Sequence, residues 1–88
     1  MKKTFEVFKI LADKTRLQIV LTLYPEQEIS CAEVSAKFKK LTQPTLSHHF
    51  KMLAKAGLMN VRKDGTANFY SLNKKLFKEN GIDLSKLN

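Results

Sequence analysis

The segment of residues 43–55 arranges its polar side chains in a definite order along one side of a predicted helix. At about 100° per residue, short hydrogen-bonding groups occupy the first half of this side and lysines the second half. Short polar groups near a helix N-terminus reach base edges in a DNA major groove, and lysines farther along reach phosphates. We therefore predict contacts with DNA from Gln43, Pro44, Thr45, Ser47, His48, Lys51 and Lys55.

The same segment has residues at both ends that start and stop a helix. Thr42 supplies an N-cap hydroxyl, Pro44 falls in the first turn, where its missing N–H is harmless, and Gly57 can close the helix in the left-handed conformation. His49 lies near the apolar side and is predicted to be a hydrogen-bonded boundary residue. A solvated amphipathic helix without a ligand is the alternative for this segment alone. The apolar stripe consists of Leu46, Phe50 and Leu53.

Charge is distributed unevenly along the 88 residues, which carry a formal net charge of +8. The chain has no acidic residue between Glu33 and Asp64, although it has several basic residues there. Surface lysines that serve only solubility are normally interspersed with acids, so this distribution favours a face that binds a polyanion. The basic residues of this stretch are Lys37, Lys39, Lys40, Lys51, Lys55, Arg62 and Lys63.

The elements that must hold this helix precede it in the chain. Apolar spacing predicts a helix over residues 4–12 and a second helix that Asp13 caps and Pro25 ends. Ile29 is predicted to form a brief strand. A capping box over residues 30–33 opens a third helix that runs to about residue 39, followed by a tight connection. Two short helices joined in this way predict a helix-turn-helix.

A β-hairpin is predicted after Gly57, where the apolar periodicity changes to that of strands. Residues 58–63 and 67–72 flank Asp64-Gly65, a dipeptide that favours a two-residue turn. The predicted fold is mainly α with a small β-hairpin wing (α+β), in the order α-α-(β)-α-α-β-β-α, as one domain over residues 1–88. From this wing we predict further DNA contacts by Arg62, Lys63 and Thr66.

This order of helices, helix-turn-helix and basic wing resembles the ArsR/SmtB group of bacterial winged-helix repressors. The resemblance implies a homodimer that binds a double-stranded operator with dyad symmetry and blocks transcription. It also implies that Gln43, Ser47 and His48 approach bases while the wing approaches the adjacent minor groove or backbone. The resemblance rests on four segments: LADKTRL at 11–17, QPTLSHHFKML at 43–53, AGL at 56–58 and GTANFYSL at 65–72.

Apolar residues at both ends of the chain predict surfaces for dimerisation. In a domain this small, such residues are hard to place without a second subunit. We assign the dimer contacts to residues 1–12 and 73–88, although Asn80-Gly81 breaks a helix that members of the group usually continue. The predicted dimer residues are Phe5, Phe8, Leu76 and Phe77, with Ile82, Leu84 and Leu87 as further candidates.

The sequence predicts no metal site, no cofactor and no enzymatic activity. A single cysteine, Cys31, excludes an internal disulfide, and the cysteine pair and the late histidines typical of metal-sensing members are missing. Cys31 shares a stripe with Val34 and Phe38, which favours a packing role, and a thiol-redox switch is the alternative. No nucleophile has a base and an orienting group in a recognisable motif.

Apolar runs in the chain are too short for a membrane-spanning helix or a signal peptide. We therefore predict a cytoplasmic protein without a membrane partner. A winged-helix module that binds another protein instead of DNA is the alternative function. Residues 34–63 contain basic but no acidic residues, which favours DNA over a protein as the binding partner.

Overall fold

The computed structural model describes residues 2–87. Within these residues the chain forms helices, three short strands and a final 3₁₀ turn, and this confirms the predicted mainly helical class and the order of elements. The elements are α1 (Lys2–Leu11), α2 (Lys14–Leu23), β1 (Ile29–Ser30), α3 (Cys31–Lys37), α4 (Gln43–Lys55), β2 (Met59–Asp64), β3 (Ala67–Leu72), α5 (Lys74–Glu79) and the 3₁₀ turn Leu84–Lys86.

The three strands form one antiparallel sheet in the order β1-β3-β2. Tyr70 on the central strand pairs with Ile29 on one side and Val61 on the other. The last pair of the hairpin is Asp64 with Ala67, so the turn is Gly65-Thr66 and not the predicted Asp64-Gly65. Gly65 alone in this turn has a positive φ, of 63°, which suits a turn that needs glycine at its first central position.

Helix α3 is shorter than predicted and ends at Lys37 instead of about residue 39. Phe38 has φ −118° and ψ 57°, outside the helical region, and its ring packs partly buried against the core together with Leu41. Burying the Phe38 and Leu41 side chains stabilises the fold more than another turn of this short helix would. The connection to α4 is longer as a result.

One hydrophobic core joins all of these elements. Each helix and strand contributes at least one buried side chain, and the 3₁₀ turn contributes Leu84. Leu53 of α4 is fully buried, so α4 is anchored in this core. The buried residues are Val7, Ile10, Ile19, Val20, Leu23, Ile29, Val34, Leu46, Phe50, Leu53, Leu58, Met59, Tyr70, Leu72, Phe77 and Leu84.

None of the helices in residues 2–87 has the length and apolar character needed to cross a membrane.

Candidate nucleic-acid interface

Helix α4 has the ends that its sequence predicts. The Thr42 hydroxyl accepts a hydrogen bond of 3.3 Å from the backbone N–H of Thr45, and Pro44 lies in the first turn. At the other end Gly57 has φ +82°, and the N–H of Leu58 donates to the carbonyl of Leu53 at 3.0 Å. This pattern is a Schellman closure, which ends the helix sharply before the wing.

The outward side of α4 is exposed to solvent. Its inward stripe, Leu46, Phe50 and Leu53, is buried as predicted. A helix that is anchored on one side and exposed on the other presents its polar groups at a fixed height above the protein surface, as groove insertion requires. The exposed residues of α4 include every one for which we predict DNA contact: Gln43, Pro44, Thr45, Ser47, His48, Lys51 and Lys55.

A side-chain hydrogen bond links the start of α4 to α3. The amide Nε2 of Gln43 donates to the hydroxyl of Ser35 at 2.8 Å. In the same turn, the Thr42 hydroxyl donates to the Thr45 hydroxyl at 2.9 Å. The predicted base-contacting amide is therefore held by the helix-turn-helix itself, and one polar group of Thr45 already has a partner.

His49 and Arg16 connect α4 to the first two helices. An Arg16 Nη1 lies 3.4 Å from Nδ1 of His49, and the Nε of the same guanidinium donates to the carbonyl of Ile10 at 2.9 Å. Burial lowers the pKa of His49, an effect that Asp13 opposes and Arg16 reinforces. His49 is thus the hydrogen-bonded boundary residue that we predict, and it ties the inner edge of α4 to α1 and α2.

Asp13 completes this connection at the start of α2. Its carboxylate accepts a hydrogen bond of 2.9 Å from the backbone N–H of Arg16. That bond, with the nearby Arg16 charge, holds the pKa of Asp13 below its usual value. The carboxylate therefore stays ionised as the N-cap, and it fixes the turn from which the Arg16 side chain extends.

The wing exposes Lys63 and Thr66, as expected for residues near the tip of the hairpin. Arg62, for which we also predict DNA contact, has a partner within the subunit. Its Nη2 and Nε donate to the two carboxylate oxygens of Glu28 at 2.8 and 3.0 Å. The guanidinium charge is therefore already paired within the subunit, although its side chain stays 54% exposed.

The predicted dimerisation residues separate into two groups. Phe5 and Phe8 of α1 are 67% and 50% exposed, while Val7 and Ile10 of the same helix are buried. Leu76 is partly buried against the core. Phe77 is only 1% exposed and fills the core of its own subunit, which corrects its predicted place on a dimer surface. The reason is that α5 is a short helix whose largest side chain points inward.

Cys31 is partly buried at the start of α3, against the core that contains Val34. It lies beside Tyr70, whose pKa is raised by burial and further raised by the neighbouring Cys31. This position agrees with the packing role. Across residues 2–87 no group of three or more histidine, cysteine or acidic side chains comes together in a metal-binding arrangement.

Sequence reasoning missed three residues that support this surface: Ser35, Arg16 and Glu28. Each contacts a predicted site or boundary residue that is at least eight positions away in sequence. Of these three, only Arg16 could have been found from the sequence, because it stands three residues after the N-cap Asp13, in the first turn of α2.

Comparison with known proteins agrees with this geometry. Residues 11–62 match a helix-turn-helix domain family, a stretch that runs from the end of α1 into the wing. The arsenical resistance operon repressor of Staphylococcus aureus is 40% identical over 76 residues, which cover 82% of this chain and 67% of that protein. This chain belongs to the ArsR-type helix-turn-helix transcriptional regulators. The regulator thus has the DNA-binding function of its family.

Two further relatives extend this result. An uncharacterised helix-turn-helix transcriptional regulator of Methanocaldococcus jannaschii is 42% identical to this ArsR-type regulator over 69 residues, covering 78% of this chain and 76% of that one. The structure of HlyU from Vibrio cholerae superposes with a TM-score of 0.76 at 32% identity and covers 91% of this chain and 86% of its own. The winged-helix fold is therefore shared well beyond the helix-turn-helix itself.

Proposed function

We propose that this ArsR-type regulator is a cytoplasmic homodimeric repressor that acts by binding an operator with dyad symmetry and not by catalysis. The observation that carries the proposal is the exposed side of α4, where short polar groups lead and lysines follow. The arsenical resistance operon repressor of Staphylococcus aureus is a repressor by name, which supports repression as the direction of control.

Within this proposal the exposed residues of α4 have two roles. Gln43, Ser47 and His48 read base edges, because they stand near the N-terminus that enters the major groove. Lys51 and Lys55 lie one and two turns farther along and contact phosphates. Pro44 and Thr45 lie in the first turn of α4 and contact the DNA there. Lys63 and Thr66 of the wing reach the neighbouring backbone or minor groove.

The proposed dimer uses the exposed phenylalanines of α1. Phe5 and Phe8 stand on the opposite side of α1 from Val7 and Ile10, which already pack inward. Large exposed aromatic side chains stabilise association when a second apolar surface covers them. In a two-fold dimer the two α4 helices would enter successive major grooves about 34–36 Å apart.

Control by the metal sites familiar in this group is not part of the proposal. Those sites use a pair of cysteines or late histidines, whereas this chain has the single cysteine Cys31 and no histidine after His49.

The test begins by selecting duplexes from a random pool with the full chain. Affinity for a selected duplex and for random DNA is then measured by fluorescence anisotropy at several salt concentrations. Lys51→Ala should weaken binding to both DNAs and reduce the slope of log affinity against log salt by about 0.9. Gln43→Ala should lower affinity by about 1–3 kcal/mol for the selected duplex only.

Lys86→Ala is the matched control, because Lys86 is an exposed lysine of the 3₁₀ turn, remote in sequence from α4. It should leave both affinities and the salt slope unchanged. Failure to select any sequence, or an equal effect of Lys51→Ala and Lys86→Ala, would contradict the proposed use of α4.

A further inference from the structure

Arg62 of the wing is held by a carboxylate from another part of the chain. Its Nη2 donates to Oε1 of Glu28 at 2.8 Å, and its Nε donates to Oε2 at 3.0 Å. Two parallel hydrogen bonds between a guanidinium and a carboxylate fix the geometry of both groups, which a single contact would not do. Glu28 lies in the loop before β1, and Arg62 lies on β2.

The pair spans the sheet from one edge toward the other. Arg62 pairs in register with Phe69 of β3, and Phe69 pairs with Ser30 of β1, two residues after Glu28. The guanidinium carbon stands 4.5 Å from the centre of the Phe69 ring. The ion pair therefore lies over the central strand, where the Phe69 ring makes a cation–π contact with the Arg62 guanidinium.

Charge at this position is balanced within the subunit. The hydrogen bonds from Arg62 lower the pKa of Glu28, and the same bonds raise the pKa of Arg62, so both groups stay ionised together. Asp64 brings a second carboxylate to 4.0 Å from Nη1 of Arg62. Lys63, the next residue, is the exposed cation that the hairpin offers beyond this pair.

We propose that Glu28 is a positioning residue that braces the wing through Arg62 and keeps Arg62 from phosphates, so that Lys63 supplies the phosphate contact of the hairpin. This inference rests on the proposed function insofar as the wing reaches DNA. Glu28 then fixes β2 of the hairpin relative to the loop before β1, and the wing so held contacts the DNA backbone beside the groove that α4 enters.

The first test uses no DNA. Amide hydrogen exchange of the β2–β3 hairpin is compared in the wild type, Glu28→Gln, Arg62→Gln and the charge exchange Glu28→Arg/Arg62→Glu. Loss of an exposed bidentate pair should accelerate exchange in the hairpin about two- to five-fold, and the charge exchange should restore it. Glu26→Gln, an exposed glutamate of the same loop, is the control and should leave exchange unchanged.

The second test measures binding to the duplex selected with the wild-type chain as a function of salt. Arg62→Gln should weaken binding about two- to five-fold with an unchanged salt slope, whereas Lys63→Gln should lower the slope by about 0.9. The charge exchange should bind within about two-fold of the wild type, because it rebuilds the brace without a net change of charge.

Three results would overturn the inference: wild-type exchange in Glu28→Gln, a salt slope that falls in Arg62→Gln as it does in Lys63→Gln, or a charge exchange that still binds weakly. These results differ from a failure of the proposed function. In that case the wild type would select no duplex, and the exchange experiment would still decide whether Glu28 braces the wing.

Discussion

The side-chain amide of Gln43 donates a 2.8 Å hydrogen bond to the hydroxyl of Ser35, and this bond joins the first residue of α4 to α3. A glutamine amide has two N–H donors and a carbonyl acceptor. One donor and the carbonyl therefore remain for the proposed base contact, and these are the two groups that a bidentate pair with an adenine edge uses. Ser35 holds a group that would otherwise rotate freely, so binding loses less conformational freedom.

We predict from this bond that Ser35→Ala weakens binding mainly at the preferred sequence. Removing a neutral hydrogen bond that orders Gln43 should lower affinity for the selected duplex about two- to ten-fold and leave affinity for random DNA almost unchanged. Anisotropy titrations with both duplexes measure the difference. Ser85→Ala, in the 3₁₀ turn, is the control. An equal loss on both DNAs would show that Ser35 supports the fold and not the amide of Gln43.

Leu53→Ala is predicted to destabilise the protein strongly. The side chain is 0% exposed and lies in the stripe that anchors α4, so its truncation should lower the free energy of unfolding by about 2–5 kcal/mol. Urea denaturation followed by circular dichroism gives this value. Lys51→Ala changes the exposed side of the same helix and should shift it by less than about 0.5 kcal/mol. Similar effects of the two variants would contradict the burial of the stripe.

Stability should depend on pH through His49. Burial lowers the pKa of His49 from 6.5 in the folded protein. Just below that pH the unfolded chain binds more protons than the folded chain, so the free energy of unfolding decreases as the pH falls from about 7.5 to about 5.5. His49→Gln should flatten this dependence, as measured by urea denaturation at several pH values. His48→Gln, on the exposed side, should retain it, and a flat wild-type profile would refute the assignment.

Phe8→Glu is predicted to shift the proposed dimer toward monomer. Phe8 is 50% exposed, so a charge there should disturb association without disturbing the core of the subunit. Sedimentation velocity at micromolar concentration reports the state, and affinity for the selected duplex should fall because two linked half-sites bind more tightly than one. Lys9→Gln changes the net charge by the same amount on the same helix. A Phe8→Glu protein that stays dimeric would place the interface elsewhere.

The sequence alone determined the order of helices and strands, the ends of α4 and the side of α4 that is exposed. The cap at Thr42, the closing glycine at 57 and the apolar stripe of α4 act within a few residues of one another, so spacing alone reveals them. The exposed side of α4 follows from the stripe, because it is the side of the helix opposite to Leu46, Phe50 and Leu53. The order of the helices and the hairpin could be predicted because caps, turn residues and apolar spacing also act over a few neighbouring residues.

Tertiary structure alone decided which polar groups are free and which apolar groups are covered. Arg62 meets Glu28 across 34 positions, and Arg16 meets His49 across 33. Phe77 is buried although the sequence places it in a short segment of mixed character near the end of the chain. Such contacts depend on how the elements pack, since a charge or an aromatic ring has many possible partners and only the folded core brings one of them within bonding distance.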